Sequence, residues 1–183
     1  YYNWHFVNME LDEDYEDTVP SEKGDVFIAI NKCIDILESD SVTDSEKSFY
    51  LKLLIHFIGD LHQPMHIGRY EDRGGNRVYV KWFGRNSNLH RVWDSEMING
   101  YNMSYSELAK NLPTPEKLEI EFERDDVITW VNEIHSYTRK IYNGVSIDDN
   151  LGYEYQYENF QTLRDLILKG GLRSASILNY LCD

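Results

Sequence analysis

The chain has few cysteines, few prolines and no long apolar run, and each shortage excludes a class of protein. Its 183 residues include two cysteines, Cys33 and Cys182, which rules out a disulfide-rich scaffold. The sequence does not decide whether these two residues form a disulfide or stay as thiols. No stretch reaches the roughly 18 consecutive apolar residues of a transmembrane helix, and no signal-peptide pattern is present.

Positive charge is also scarce. Lys and Arg number 18 against 32 Asp and Glu, giving a net charge of −14, so the chain lacks the generally basic surface that binds duplex DNA. The composition is 42% hydrophobic and 14% aromatic, which excludes a disordered acidic protein. A chain of this length is predicted to form one domain, residues 1–183, that buries about two-thirds of its unfolded surface.

What the chain does contain is a concentration of metal-binding residue types between positions 56 and 94. Four of the six histidines lie there. His56 and Asp60 are four residues apart in the run FYLKLLIHFIGDL, whose apolar residues recur at helical spacing, so both side chains should leave one face of a helix. Pro64 is expected to end that helix and to leave His66 just beyond it, turned back towards the same pocket.

A second pair with the same spacing follows. His90 and Asp94 lie in NLHRVWDSEMI, which is predicted to be a short helix. The alternating run NRVYVKWF before it is predicted to form a small β-hairpin that brings His90 back beside His66. A single histidine on an apolar helix face is more often a core residue than a ligand. Two His/Asp pairs and a further histidine in one stretch favour a metal site, because unpaired carboxylates are rarely buried.

The remaining sequence predicts a mainly α, multi-helix bundle with that hairpin near the metal site. Residues 1–8 read as an extended segment, the charged run 113–126 reads as a connection, and His135 on a late helix is interpreted as a non-ligand. The last helix is predicted to be loosened at Gly170 and Gly171. The predicted helices are Ser21–Glu38, a segment capped by Thr43 or Asp44 that carries the first pair, 104–112, a segment from Asp125 or Asp126 to Tyr142, and Tyr155–Leu181.

Several motifs closely resemble the zinc-dependent single-strand nucleases of the S1/P1 nuclease family. They are WHFVN near the start, HFIGDLHQPMH, GGN and NLHRVWD in the middle, and TWVNE (129–133) and GGLRSASILN (170–179) near the end. The resemblance therefore covers nearly the whole chain, and it implies a cluster of up to three zinc ions. The implied ligands are His66, His90 and Asp94 for one ion, His5, His56 and Asp60 for a second, and Asp60 as the catalytic carboxylate that bridges to a third.

The resemblance also implies roles for three further residues. Phe6 resembles the aromatic residue on which a nucleobase stacks, although the residue type alone is equally compatible with an ordinary core aromatic. Asn8 stands where the family commonly has an aspartate that bonds the base edge, so base preference is expected to differ. His62 lies two residues past Asp60 and is interpreted as a non-ligand that could orient a metal ligand through a hydrogen bond.

The implied reaction is hydrolysis of phosphodiester bonds in single-stranded DNA or RNA by an endonuclease. The sequence does not decide whether the enzyme is also a 3′-nucleotidase that removes terminal 3′-phosphates. Two zinc ions about 3.5–4 Å apart lower the pKa of bound water to around 7 and neutralise charge on a phosphoryl oxygen. Zinc-dependent phospholipases C share the trinuclear arrangement, so a lipid substrate is the alternative. A metal-stabilised helical binding protein without hydrolysis is a third possibility. Family members are secreted, so a secreted or periplasmic location is expected.

One part of the family pattern has no counterpart before Tyr1. Family members begin with a tryptophan, a histidine and an aspartate that supply further zinc ligands, and the chain is therefore interpreted as N-terminally incomplete relative to the family. The expectation is one complete zinc site, one partial site and no third site. The 183 residues alone are accordingly predicted to be weakly active or inactive.

Overall fold

A computed structural model describes residues 1–114 and 121–182. The fold is mainly helical, as predicted, and residues 115–120 of the predicted charged connection lie outside the described part. The helices are α1 (Val26–Glu38), α2 (Asp44–Leu61), α3 (Leu89–Arg91), α4 (Met97–Gly100), α5 (Tyr105–Lys110), α6 (Asp126–Asn143) and α7 (Tyr153–Cys182). The strands are β1 (Val7–Asn8), β2 (Ile67–Gly68), β3 (Tyr79–Trp82), β4 (Arg85–Asn88) and β5 (Asn150–Leu151).

Side-chain caps set where the first two long helices begin. The Thr43 side chain accepts a hydrogen bond from the backbone N–H of Glu46, whose carboxylate accepts from Thr43 in return, so α2 starts with a complete capping box. Helix α1 starts at Val26 rather than at Ser21 as predicted. Gly24 has φ +79°, which interrupts a helix, and the Asp25 side chain then caps the first turn.

Helix α2 presents two different faces. It packs against α1 and α7 through residues at helical spacing that are almost fully buried. Its other face carries His56 and Asp60, as predicted, and leaves both partly exposed to solvent. The helix is therefore fixed by its core face while its ligand-bearing face stays open. The buried residues are Leu54, Phe57, Ile58 and Leu61.

The two small sheets bring distant segments to the same end of the molecule. Residues Tyr2–His5 form a 3-10 turn, so the prediction of an extended segment is wrong there, and β1 follows directly. Strand β1 pairs in parallel with β2, which begins immediately after His66. The predicted hairpin is β3 with β4, and β5 adds to the free edge of β3. These pairings place His5 and His66 side by side.

Helix α7 runs unbroken through Gly170 and Gly171, contrary to the predicted loosening. Gly170 packs closely against His62, the residue that follows α2, because a Cβ there would lie only 3.2 Å from its ring. Glu133 on α6 forms ion pairs with Lys169 and Arg173, which joins α6 to α7. Within the described residues, every helix is too short or too polar to cross a lipid bilayer.

Candidate metal centre

The first group of candidate ligands gathers around one carboxylate oxygen. Oδ2 of Asp60 lies 2.8 Å from Nδ1 of His5 and 3.2 Å from Nε2 of His56. His5 comes from the 3-10 turn before β1, whereas His56 and Asp60 come from successive turns of α2. One ligand atom from each residue lies within 4.8 Å of the others, which is close enough for a single ion to contact all three.

The second group is formed by His66, His90 and Asp94, whose ligand atoms also lie within 4.8 Å of one another. The rings of His66 and His90 are stacked with centroids 5.3 Å apart. His90 and Asp94 do not lie on a regular α-helix as predicted, because α3 continues into a π-helical turn, Val92–Glu96. Such wide turns are frequent at functional sites, and this one still directs Asp94 towards His66.

His66 and Asp60 connect the two groups. Oδ1 of Asp60 lies 3.3 Å from Nδ1 of His66, and Nε2 of His66 lies 3.7 Å from Oδ1 of Asp94. Nδ1 of His66 is buried and has no hydrogen-bond partner among the described residues. A buried nitrogen without a partner is costly in an apolar setting, and a cation between these groups would satisfy it. The donor set of imidazole nitrogens and carboxylate oxygens suits zinc.

Electrostatic coupling within the second group is strong in the metal-free protein. Burial lowers the pKa of His66, but the carboxylates of Asp60 and Asp94 beside its two ring nitrogens outweigh burial and raise the pKa to about 9. The neighbouring His66 in turn lowers the pKa of Asp94. Burial, with the positive charge of His66 nearby, lowers the pKa of His90. A protonated His66 therefore lies between the carboxylates of Asp60 and Asp94.

A backbone carbonyl orients His90. Its Nδ1–H donates to the carbonyl oxygen of Gly74 at 2.8 Å, which leaves Nε2 with its lone pair available for a metal. Gly74 has φ +60° and lies close against Met65. In the sequence, the only sign of this contact is the glycine pair Gly74 and Gly75 between the two His/Asp pairs. Residue spacing does not indicate which carbonyl would accept from His90.

Asp72 holds the loop that carries Gly74, and the sequence analysis did not identify it. Its Oδ1 accepts from the backbone N–H of Gly75 and from the hydroxyl of Tyr142, both at 2.7 Å. Its Oδ2 accepts two hydrogen bonds from the guanidinium of Arg69, which also covers the Tyr142 ring at 4.5 Å. Asp72 is buried, so this network is rigid and fixes the carbonyl that orients His90.

The two histidines interpreted as non-ligands lie apart from both groups. Nδ1–H of His62 donates to the carbonyl of Ile58, and Nε2 accepts from Arg173, so this residue does not directly orient a candidate ligand. Burial lowers the pKa of His62 to about 4, which keeps its ring neutral. The His135 ring lies between the carbonyl oxygens of Ile67 and Glu10. Both histidines contribute to packing between elements.

One residue of the first group, His5, and two of the second, His66 and His90, line a cleft of about 1070 Å³, above the range of roughly 300–1,000 Å³ common for small-molecule pockets. Phe6 and Asn8 are half-buried and line this cleft together with His5, His66 and His90. Phe6 contacts the exposed ring of Tyr2 edge-on, with centroids 5.9 Å apart. Cys33 is buried and Cys182 is exposed, and both are free thiols in this structure.

The fold and these two groups define a mainly helical protein whose histidines and aspartates could hold more than one metal ion in an open cleft. The chain belongs to the S1/P1 nuclease family, whose model matches residues 1–183. This confirms the resemblance that the motifs carry.

Named relatives agree with this assignment. Endonuclease 1 of Arabidopsis thaliana is 34% identical over 70% of this chain and 48% of its own length. Endonuclease 4 of the same plant is 30% identical over 94% of this chain and 65% of its own length. Nuclease S1 of Aspergillus oryzae is 27% identical over 98% of this chain and 72% of its own length. The chain thus spans about half to two-thirds of the length of the two plant proteins.

The raised pKa of His66 predicts how stability of the metal-free chain depends on pH. A folded-state pKa of about 9 against an ordinary value of 6.5 contributes stability that is full below pH 6.5 and is lost as pH rises through 9. We expect a loss of about 2–4 kcal/mol across that window, measured by urea unfolding in the presence of a chelator. Other histidines with shifted values have lowered pKa values, so their effects fall below pH 6.5.

The zinc-loaded chain is the control for this measurement. A histidine that binds a metal is already deprotonated, so the same pH change should leave the stability of the loaded chain nearly constant. An equal decline with and without zinc would show that the pH dependence does not come from His66.

Proposed function

We propose that this protein is a zinc-dependent nuclease that hydrolyses phosphodiester bonds in single-stranded nucleic acid. The observation that carries the proposal is the position of Asp60, whose Oδ2 lies beside His5 and whose Oδ1 lies beside His66, one residue from each ligand group. A carboxylate shared between two groups suits a centre with neighbouring ions. The names of its relatives, Endonuclease 1 and Nuclease S1, support the same class of reaction.

The candidate ligands would bind two zinc ions. His66, His90 and Asp94 would hold one zinc ion, and His5, His56 and Asp60 a second. When bound, the metals supply a nucleophile from water near neutral pH and offset negative charge on a phosphoryl oxygen. Asp60 keeps the two groups in fixed relation, because it is on a well-packed helix and its side chain is only 14% exposed. Removal of a 3′-terminal phosphate would use the same residues.

Phe6 and Asn8 would select an unpaired base. A base can stack on Phe6 at the cleft wall only if it is not already stacked within a duplex, and stacking of this kind is worth about 1–3 kcal/mol per base. Asn8 can both donate to and accept from a base edge, whereas the aspartate common at this position in the family only accepts. We therefore expect preference for single strands, with a base preference different from relatives that carry aspartate.

A comparison of cleavage rates on three substrates tests the proposal. The zinc-loaded chain is incubated in excess over labelled denatured DNA, the same DNA as duplex, and a phosphatidylcholine emulsion, so that even slow single-turnover cleavage is detected. We expect cleavage of denatured DNA well above that of duplex and none of the lipid. A chelator-treated sample is the control.

Two other outcomes would overturn the nuclease proposal. Hydrolysis of phosphatidylcholine without cleavage of DNA would establish the phospholipase alternative. No hydrolysis of either substrate at full zinc content, even after the N-terminal segment of a family member is fused to the chain, together with zinc-dependent melting, would favour a metal-stabilised binding protein.

A further inference from the structure

The basic residues of this acidic chain are concentrated in one place. The segment 69–91 contains six of the 18 Lys and Arg but only two of the 32 Asp and Glu. It therefore has an excess of four positive charges in a chain whose net charge is −14. This segment comprises the loop around Asp72, the β3–β4 hairpin and the start of the second ligand group.

Two arginines of this segment face the cleft. Arg73 and Arg77 are exposed and line the same cavity as His66 and His90. Arg73 immediately precedes Gly74, whose carbonyl orients His90. Both arginines therefore line the wall that also carries His66 and His90 of the proposed metal centre.

Neither arginine is neutralised by a carboxylate within residues 1–114 and 121–182. Two other arginines of the segment are paired, since Arg69 binds Asp72 and Arg91 binds Glu96. Arg77 donates one hydrogen bond to a backbone carbonyl, that of Glu71, and this leaves its charge uncompensated. Two unpaired guanidinium groups in a protein with so many acids make an anion-binding wall.

The arginines are carried by a well-ordered loop. The Asp72 network fixes the backbone on both sides of Arg73, which adopts a left-handed conformation with φ +57°. A rigid loop loses little freedom when it binds an anion, so the cost of ordering is small. Tyr70, which is 77% exposed, lines the same wall and offers a ring beside any phosphate bound there.

We propose that Arg73 and Arg77 bind backbone phosphates that flank the scissile phosphate, and so select a polynucleotide strand over a substrate with one phosphodiester. This inference rests on the proposed nuclease function and adds to it a separate binding subsite. A nucleic acid strand presents several phosphates in succession, as this wall and the metal centre together require. A phospholipid presents one phosphate and would leave the arginines without a partner.

Salt-dependent binding tests this subsite. Affinity of the zinc-loaded chain is measured by fluorescence anisotropy for a phosphorothioate-linked oligodeoxynucleotide of about 12 nucleotides, between about 50 and 200 mM salt. We expect the double variant Arg73→Gln/Arg77→Gln to bind about tenfold or more weakly at low salt. The slope of log affinity against log salt should fall by about 0.7 for each phosphate that the variant no longer neutralises. Arg73→Lys/Arg77→Lys should restore most of the affinity.

Arg85→Gln is the matched control, because Arg85 belongs to the same basic segment but is on β4 and does not line the cleft. We expect it to change affinity by less than about twofold, as a surface charge outside the subsite. Wild-type affinity and slope in the double variant would overturn the proposal. An equal loss in Arg85→Gln would also overturn it, because the attraction would then belong to the segment as a whole.

Hydrolysis of bis(p-nitrophenyl) phosphate separates this inference from the proposed function. This substrate has one phosphodiester, so the double variant should hydrolyse it at the wild-type rate. If the wild-type chain does not hydrolyse it even when fused to the N-terminal segment of a family member, the nuclease proposal fails, whereas the binding measurement still decides whether the two arginines hold a strand. If the double variant alone loses this activity, the arginines act on the metal centre and the subsite proposal is wrong.

Discussion

Replacing Asp60 by Asn is expected to reduce cleavage of single-stranded DNA at least about 100-fold and to lower the zinc content of the chain. The side chain keeps its size, so packing of α2 is preserved. The amide loses the negative charge and one of the two oxygens that now face His5 and His66. A neutral amide is a weaker zinc ligand than a carboxylate, and it cannot link two groups of ligands.

Zinc content is the decisive second measurement. We expect the group of His5, His56 and Asp60 to lose its metal, while His66, His90 and Asp94 retain an ion with reduced affinity. Asp40→Asn is the control. Asp40 is exposed on the loop between α1 and α2, and its replacement by Asn removes the same negative charge. If Asp60→Asn kept the zinc content and cleavage rate of the wild type, Asp60 would not connect two metals and the proposed mechanism would be wrong.

The parts of this site that local sequence determines were predictable. His56 and Asp60 share a face because helical spacing puts residues i and i+4 together, and the capping box at Thr43 fixes the register. The mainly α fold and the β-hairpin also follow from local periodicity. Pro64 lies just after α2, so the expected position of His66 beyond the helix agrees with the structure.

The parts that depend on contacts between distant segments were not predictable from the pattern. The two-residue pairing of β1 with β2 places His5, and no periodicity signals so short a strand. The π-helical turn near Asp94 contains Trp93, which is buried and donates a hydrogen bond to Tyr155 on α7, and residue spacing does not indicate that contact. The family resemblance, not spacing, identified His5 as a candidate ligand.

The loop around Asp72 is the clearest case of a site component that the pattern hides. Its glycines could be read as a turn. The hydrogen bond from Tyr142 to Asp72, however, joins residues 70 apart in sequence, and the hydrogen bond from His90 to the carbonyl of Gly74 joins residues 16 apart. Sequence spacing carries no information about such pairs. This loop is therefore where a substitution that touches no ligand should affect the metal centre most.

Gly74→Ala is expected to destabilise the chain by about 2–4 kcal/mol and to weaken zinc binding at the second group by about 10–100-fold. Gly74 has φ +60°, which alanine adopts only with strain, and a Cβ there would overlap the carbonyl oxygen of Met65. The loop must move to relieve this overlap, and movement withdraws the carbonyl that orients His90. Urea unfolding and zinc titration in competition with a chelator measure the two effects.

Gly171→Ala separates this positioning effect from a general effect of glycine replacement. Gly171 lies within α7, and a Cβ there meets no atom within 4 Å among the described residues, so alanine should stabilise the helix by about 0.5–1 kcal/mol. Zinc affinity should be unchanged. If Gly74 has a purely structural role, Gly74→Ala should lower stability and leave the zinc affinity of the folded fraction unchanged. Loss of affinity in protein that is still folded would show that the loop holds His90 in its metal-binding orientation.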